Sequence, residues 1–295
     1  MSAAQKPTDN NLLIGMLLMT AAAFALAAMH ALVRKVSGDL HPFEISFFRN
    51  LFGLLVLSPL IIRGGMRNLR TYQPRLQFFR GFNSVAAMSL WFFALSIVPL
   101  AEATAMSFLA VIFASIGAVI FLGERMRARR WTAVGAGLIG ALIILRPGFE
   151  ELNYGLVLTM MSALCWGTGV VLVKQLSKTD SIVSVVGWFG ISTTLISFGP
   201  ALMFWTTPTL EQLGWLLLIG SLGTVGHLAM TRSLKTADAG AVMPLDFTRL
   251  VWASLLGYWL FNEVPDVPTL LGGAVIISAA TYLIVRESRL KEIKD

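Results

Sequence analysis

The sequence predicts an all-α integral membrane protein, ten transmembrane helices arranged as two inverted five-helix repeats. Three observations predict it. Of 295 residues, 56% are apolar and 13% charged, with a mean hydropathy of +0.74; a soluble domain carries about 25% charged residues. Ten apolar stretches follow one another with short loops between them. The two halves also match when one is slid along the other. This composition excludes a soluble enzyme, a disordered chain and a disulfide scaffold. The single cysteine, Cys165, excludes an intrachain disulfide and any Cys-based cluster.

A spanning helix needs about 20 mostly apolar residues. The stretches lie at 12–33, 43–62, 76–97, 101–122, 131–146, 153–173, 182–204, 210–231, 236–261 and 267–285. The first follows ten polar residues, exceeds signal-peptide length and lacks a small-residue cleavage site, so it is expected to be retained. The second carries Arg49 near its middle, and the third carries Arg80 near its start. Val98-Pro99-Leu100 alone separates the third from the fourth. The fifth has small residues at four-residue spacing (Ala133, Gly137, Ala141), as helix-to-helix contact prefers. The sixth holds Cys165-Trp166-Gly167-Thr168-Gly169, and the eighth holds His227. The ninth contains Pro244, Asp246 and Arg249, and Glu263-Val264-Pro265-Asp266 joins it to a tenth with Gly272, Gly273, Ala274 and Ser278.

Basic residues fix the expected orientation. With loops numbered from the N-terminus, seventeen of the 23 Lys and Arg fall on the N-terminal side. Arg34, Lys35 and Arg146 fall on the other, and Arg49, Arg80 and Arg249 lie within spans. Both termini are therefore expected in the cytoplasm. The net charge of +7 is a topology signal, with no basic stripe on a soluble face that would suit nucleic acid. Trp131, Trp205, Trp215 and Trp259 sit near span ends, as an interfacial belt requires; Trp91, Trp166, Trp188 and Trp252 lie deeper.

At an offset of 140, Leu12, Gly15, Leu18, Ala23, Leu32, Val33 and Ser37 meet Leu152, Gly155, Leu158, Ala163, Leu172, Val173 and Ser177. At 139, Leu95, Phe108, Ser115 and Glu124 meet Leu234, Phe247, Ser254 and Glu263. The expected units are 1–149 and 150–295, the second ending in a cytoplasmic tail. Five spans leave the chain on the opposite face, so the second copy enters upside down. Such inverted repeats are common in secondary transporters.

Ala101-Glu102-Ala103-Thr104-Ala105, Phe121-Leu122-Gly123-Glu124-Arg125 and Leu145-Arg146-Pro147-Gly148 resemble the first EamA domain of the drug/metabolite transporter superfamily. Pro244 through Trp252 and Phe261-Asn262-Glu263 resemble the second. The resemblance runs from about Leu12 to Arg286. It implies ten helices, inverted repeats, a central cavity lined by spans 1, 3, 4, 6, 8 and 9, and transport of small organic metabolites without ATP. Val111 departs from it, because many relatives carry proline there, so the resemblance carries no kink to that position.

Ionisable groups deep in a bilayer are costly and are candidates for function. Asp246 and Arg249 flank the centre of the ninth span, three residues apart on one face. They either neutralise each other or exchange partners with a substrate carboxylate or ammonium; Asp246 is also where proton coupling could act. Their repeat mates, Ser107 and Ala110, are uncharged. Pro244 removes the hydrogen bond to the Gly240 carbonyl, which predicts a kink or a hinge. Arg49 is too deep to reach an interface, and is either a structural ion-pair partner or a binding group; Arg80 can snorkel. Asn83 and Trp166 lie near the centres of spans that the family places around its cavity. His227 and His30 each suit a helix-to-helix hydrogen bond or a functional role. Glu124 and Glu263, at span ends in both copies, suit gates or structural anchors.

No zinc-protease, nucleophile-elbow or phosphate-loop motif occurs, and three histidines do not suggest a metal site. The expectation is a secondary transporter of the cell inner membrane that is no enzyme and uses no cofactor. Arg49, Asp246 and Arg249 sum to about +1 near the midplane, which favours an amino acid or other carboxylate-bearing solute. An aromatic vitamin such as riboflavin, or a membrane sensor that moves nothing, are the alternatives; oligomeric state is left open.

Overall fold

The structure, a computed structural model, describes residues 9–64, 70–122, 128–145, 153–176, 178–180, 182–237 and 242–292. Among them the chain is all helical: α1 (Asp9–Val36), α2 (Pro42–Gly64), α3 (Pro74–Ile97), α4 (Leu100–Ser107), α5 (Leu109–Leu122) and α6 (Ala128–Leu145) come from the first half. The second half supplies α7 (Tyr154–Leu176), α8 (Ile182–Met203), α9 (Leu210–Thr236), a 3-10 segment (Met243–Phe247), α10 (Thr248–Phe261) and α11 (Val267–Glu292). Six helical stretches among the described residues are long and apolar enough to cross a bilayer, counting Leu100–Phe121 as one. Large apolar side chains such as Leu17, Phe78, Leu195 and Trp259 face outward. In water such a surface would be a liability; against lipid it costs nothing.

Local signals set the helix ends. Pro74 opens α3, where a missing N–H is harmless. Thr209 and Gln212 form a reciprocal capping box at the start of α9, with bonds of 3.2 and 2.9 Å. Asn262 ends α10 at φ 59°, letting the Glu263 N–H reach the Gly257 carbonyl at 3.1 Å.

Two expected spans are broken. The fourth divides at Phe108, where the Phe108 N–H donates to Ala105 O (3.3 Å) and the Val111 N–H to Phe108 O (3.2 Å), tight i to i+3 bonds without any proline. The ninth is not one helix over 236–261. Residue 236 ends α9, and the 3-10 segment precedes the 14-residue α10. Pro244 stands in the first turn of that segment, not inside a helix, so the described residues show no interior kink there; a first-turn proline has no helical N–H to lose. The breaks fall at matching positions, Phe108 and Phe247, and these rings pack edge to face with centroids 4.8 Å apart.

Small residues bring the helices together. The α1 helix runs antiparallel to α9, with Ser233 donating to the Gly15 carbonyl at 2.6 Å. The α3 helix packs on α7, with Ser162 donating to the Ala87 carbonyl at 2.7 Å. The α2 helix lies against α8 and α9, and α6 against α11, where Gly140 and Gly272 meet backbone to backbone. The core includes Leu95, Met106, Leu109, Ile112, Leu216 and Ile276, all fully buried.

At one end of the bundle Arg34, on α1, pairs with Glu263, between α10 and α11. Glu263 also accepts the Leu100 N–H at 3.0 Å, while Arg34 donates to the Val98 carbonyl and lies over the Phe261 ring at 5.1 Å. This cluster ties together the end of α1, the α3–α4 turn and the α10–α11 turn. At the opposite end, where α1 begins and α11 ends, Asp180 joins the α2–α3 and α7–α8 loops. Its carboxylate accepts from the Thr71 hydroxyl, the Tyr72 N–H (3.0 Å) and Gln77 (3.0 Å).

Candidate functional site

A cavity of about 520 Å³ occupies the middle of the bundle. That volume suits a small metabolite. Its wall is built from α1 (Leu26, Met29, His30), α3 (Met88, Trp91, Phe92) and the α4–α5 break (Ser107, Phe108), with Trp166 from α7 and His227 from α9. Arg49 of α2, Asp246 of the 3-10 segment and Arg249 of α10 supply charge. The lining continues to Ala118, Val171 and Met230, toward the end that carries Asp180. The Arg34–Glu263 cluster lies at the other end.

The two arginines stand in different circumstances. Arg249 pairs with Asp246 at 3.3 Å and lies over the Phe108 ring at 5.1 Å. Its charge is matched, and the pair bridges the junction between the 3-10 segment and α10. Arg49 is 6% exposed, and no carboxylate pairs with it among the described residues. Its Nη1 donates to the Asn50 side chain at 3.1 Å, and its Nε has no partner. An unmatched guanidinium in a low-dielectric site is costly unless an anion joins it. His30 and His227 lie within electrostatic reach of both arginines. The His30 ring also packs against Trp91 at 5.0 Å.

Of the residues singled out in the sequence, Arg49, Trp166, His227, Asp246 and Arg249 come together around this cavity. Asn83 does not line it; its amide donates to the Cys165 carbonyl at 2.9 Å and joins α3 to α7. Pro244 stands beside the cavity segment without lining it. Glu263 belongs to the end cluster, and Glu124 lies outside the described residues. Arg80 donates to the Val185 carbonyl at 2.8 Å and lies over Phe189 at 4.9 Å, away from the cavity. Sequence reading missed Ser107 and Phe108 as lining residues; a charged repeat partner at 246 and a helix break were the available signals, and only the first is visible in sequence.

Comparison with known proteins finds relatives over most of the chain. The EamA-like transporter family matches residues 13–146 and 153–286. A protein of Rickettsia bellii (strain RML369-C) named S-adenosylmethionine uptake transporter is 32% identical over 250 residues, covering 85% of this chain and 86% of that one. A riboflavin transporter of Rhizobium johnstonii is 30% identical over 94% of this chain and 92% of its own. A pseudopaline exporter of Pseudomonas aeruginosa (strain UCBPP-PA14) is 30% identical over 91% and 95%. A solved crystal structure superposes with a TM-score of 0.65 at 19% identity, over 94% of this chain and 98% of that one, a likeness of fold.

Proposed function

Because this chain belongs to the EamA-like transporter family, whose named relatives are transporters and not enzymes, we propose that it moves a carboxylate-bearing small metabolite across the cell inner membrane by alternating access. The observation that carries the substrate class is Arg49. Among the described residues it is a buried cation on the cavity wall without a carboxylate partner, while the cavity's other arginine is already matched by Asp246. A solute carboxylate on Arg49 would complete the site with charge-assisted hydrogen bonds. Asp246, Arg249, His227 and Trp166 form the rest of the binding wall. S-adenosylmethionine, with an amino-acid carboxylate and a flat adenine, suits both the arginine and the Trp91, Trp166 and Phe108 side chains. Riboflavin has the flat ring and no carboxylate.

Residues 1–149 and 150–295 are read as two inverted repeats of five spans each. The packing supports this: exchanging the halves turns α1 on α9 into α7 on α3, and both pairings occur. Both termini lie in the cytoplasm by the distribution of basic residues. The Arg34–Glu263 cluster then closes the outer end, Glu263 acting as a gate residue, and the cavity lining extends toward the cytoplasm. Opening the outer end requires breaking that cluster.

Counterflow in proteoliposomes tests the substrate class. Vesicles loaded with unlabelled S-adenosylmethionine should accumulate labelled S-adenosylmethionine, external glutamate or riboflavin being added as competitors. Accumulation that Arg49→Gln slows by roughly thirtyfold supports the reading. Accumulation that is unchanged in Arg49→Gln, or that riboflavin suppresses and glutamate does not, overturns it.

A further inference from the structure

We infer that Gly223 is the positioning residue for Arg49, an inference that rests on the role given to Arg49 above. Gly223 is buried on α9 where that helix faces α1 and α2. A Cβ at this position would stand 2.7 Å from the Met29 sulfur, 3.1 Å from Arg49 Nη2 and 3.3 Å from Arg49 Nε. The guanidinium therefore rests against bare α9 backbone, in space that any side chain at 223 would take.

The neighbouring glycine has a different task. A Cβ at Gly220 would stand 2.7 Å from Phe52 Cβ, 3.0 Å from the Gly53 nitrogen and 3.2 Å from the Arg49 carbonyl oxygen. Gly220 thus admits the α2 backbone, and Thr224 adds a hydrogen bond to the Gly53 carbonyl at 3.3 Å. The α2–α9 crossing is set by Gly220 and Gly53; at Gly223 the nearest α2 atoms are those at the far end of the Arg49 side chain. Confinement by Gly223, Met29 and Asn50 orients the guanidinium with no acidic partner among the described residues, which leaves its charge free for a ligand. A methyl at 223 shifts the charged group by a few tenths of an ångström or forces another rotamer, and hydrogen-bonded anion recognition is sensitive to such misplacement.

The test is epistasis in proteoliposomes, with labelled S-adenosylmethionine as probe. Gly223→Ala should raise KM roughly tenfold with kcat little changed, and the rise should vanish when Arg49 is already Gln. Met29→Ala loosens the same corner from α1 and should show the same dependence on Arg49. An equal KM rise in the Arg49→Gln background, or no rise at all, overturns the inference. A second readout needs no substrate: phenylglyoxal labelling of Arg49, followed by peptide mass spectrometry, should change rate in Gly223→Ala while Arg249 labelling does not. Unchanged Arg49 labelling also overturns it. If Arg49→Gln alone leaves transport intact, the carboxylate reading fails instead, and the labelling result still decides the role of Gly223.

Discussion

Glu263→Gln removes one charge from the cluster proposed to close the outer end of the bundle and leaves the side chain's shape. Arg34 and Glu263 are each 18% exposed at the side chain. Their coupling therefore falls between that of a surface pair, about 0.2–1 kcal/mol, and the ~3–5 kcal/mol cost of breaking a buried one. A value near 2 kcal/mol is reasonable, since Arg34 keeps the Val98 carbonyl and the Phe261 ring. On the proposed gate reading the pair exists only while this end is shut, so its loss should favour the state open at this end, by roughly thirtyfold in the ratio of the two. The assay places a cysteine at Ser107, on the cavity wall, in a Cys165→Ser background, and adds a membrane-impermeant maleimide from outside. Labelling should accelerate toward that factor. Arg34→Gln should act similarly, and the double variant should add little to either single one, because both remove the same interaction. Unchanged labelling in a folded Glu263→Gln protein would refute the gate.

Other perturbations separate scaffold from site. Arg49→Gln should lower transport efficiency roughly thirtyfold, the worth of a hydrogen bond to a charged group, while Tm holds or rises, because no carboxylate among the described residues loses its partner; a fall in Tm would mark Arg49 as scaffold. Asp246→Asn or Arg249→Gln alone should lower Tm by leaving a buried charge unmatched, and the double variant should recover most of the loss. The Asp180 carboxyl, which burial would raise, is held below its ordinary value by hydrogen bonds from Thr71, Tyr72, Gln77 and Thr179. A lowered folded value means that its stabilisation is full above the unfolded value near 3.9 and is lost as pH falls through the depressed one. Tm measured against pH should show this acid limb, and Asp180→Asn should flatten it. Gly140→Val should lower Tm through a clash of about 1–3 kcal/mol, because its Cβ would stand 2.8 Å from the Gly272 carbonyl oxygen. Gly135→Val, with nothing within 4 Å of its Cβ, is the control.

Hydropathy made the helices legible because lipid demands long apolar runs, and the tight turns at 98–100 and 262–266 fall where the sequence placed them. The helix breaks were not legible. Phe108 carries no Pro or Gly signal, and the apolar run continues through it. The same continuity hid the break at Phe247 and made Pro244 look interior when it opens a new segment. Depth along a span was readable, but direction around the helix was not. Asn83 and Trp166 both sit mid-span, yet one joins two helices and the other lines the cavity. The Arg249–Asp246 pair was foreseeable from its three-residue spacing. The isolation of Arg49, and the pairing of Arg34 with Glu263 across the two halves, depend on contacts between distant segments that no local pattern encodes.

Whether the cavity accepts a carboxylate on Arg49 is decided by ligand-induced thermal stabilisation of the purified protein. A ligand that binds the folded state raises its stability, by about 2.7 kcal/mol at a hundredfold excess over Kd. S-adenosylmethionine should raise Tm in the unaltered protein and not in Arg49→Gln, and its decarboxylated analogue should raise Tm in neither. Equal stabilisation by the acid and its decarboxylated analogue would contradict the claim.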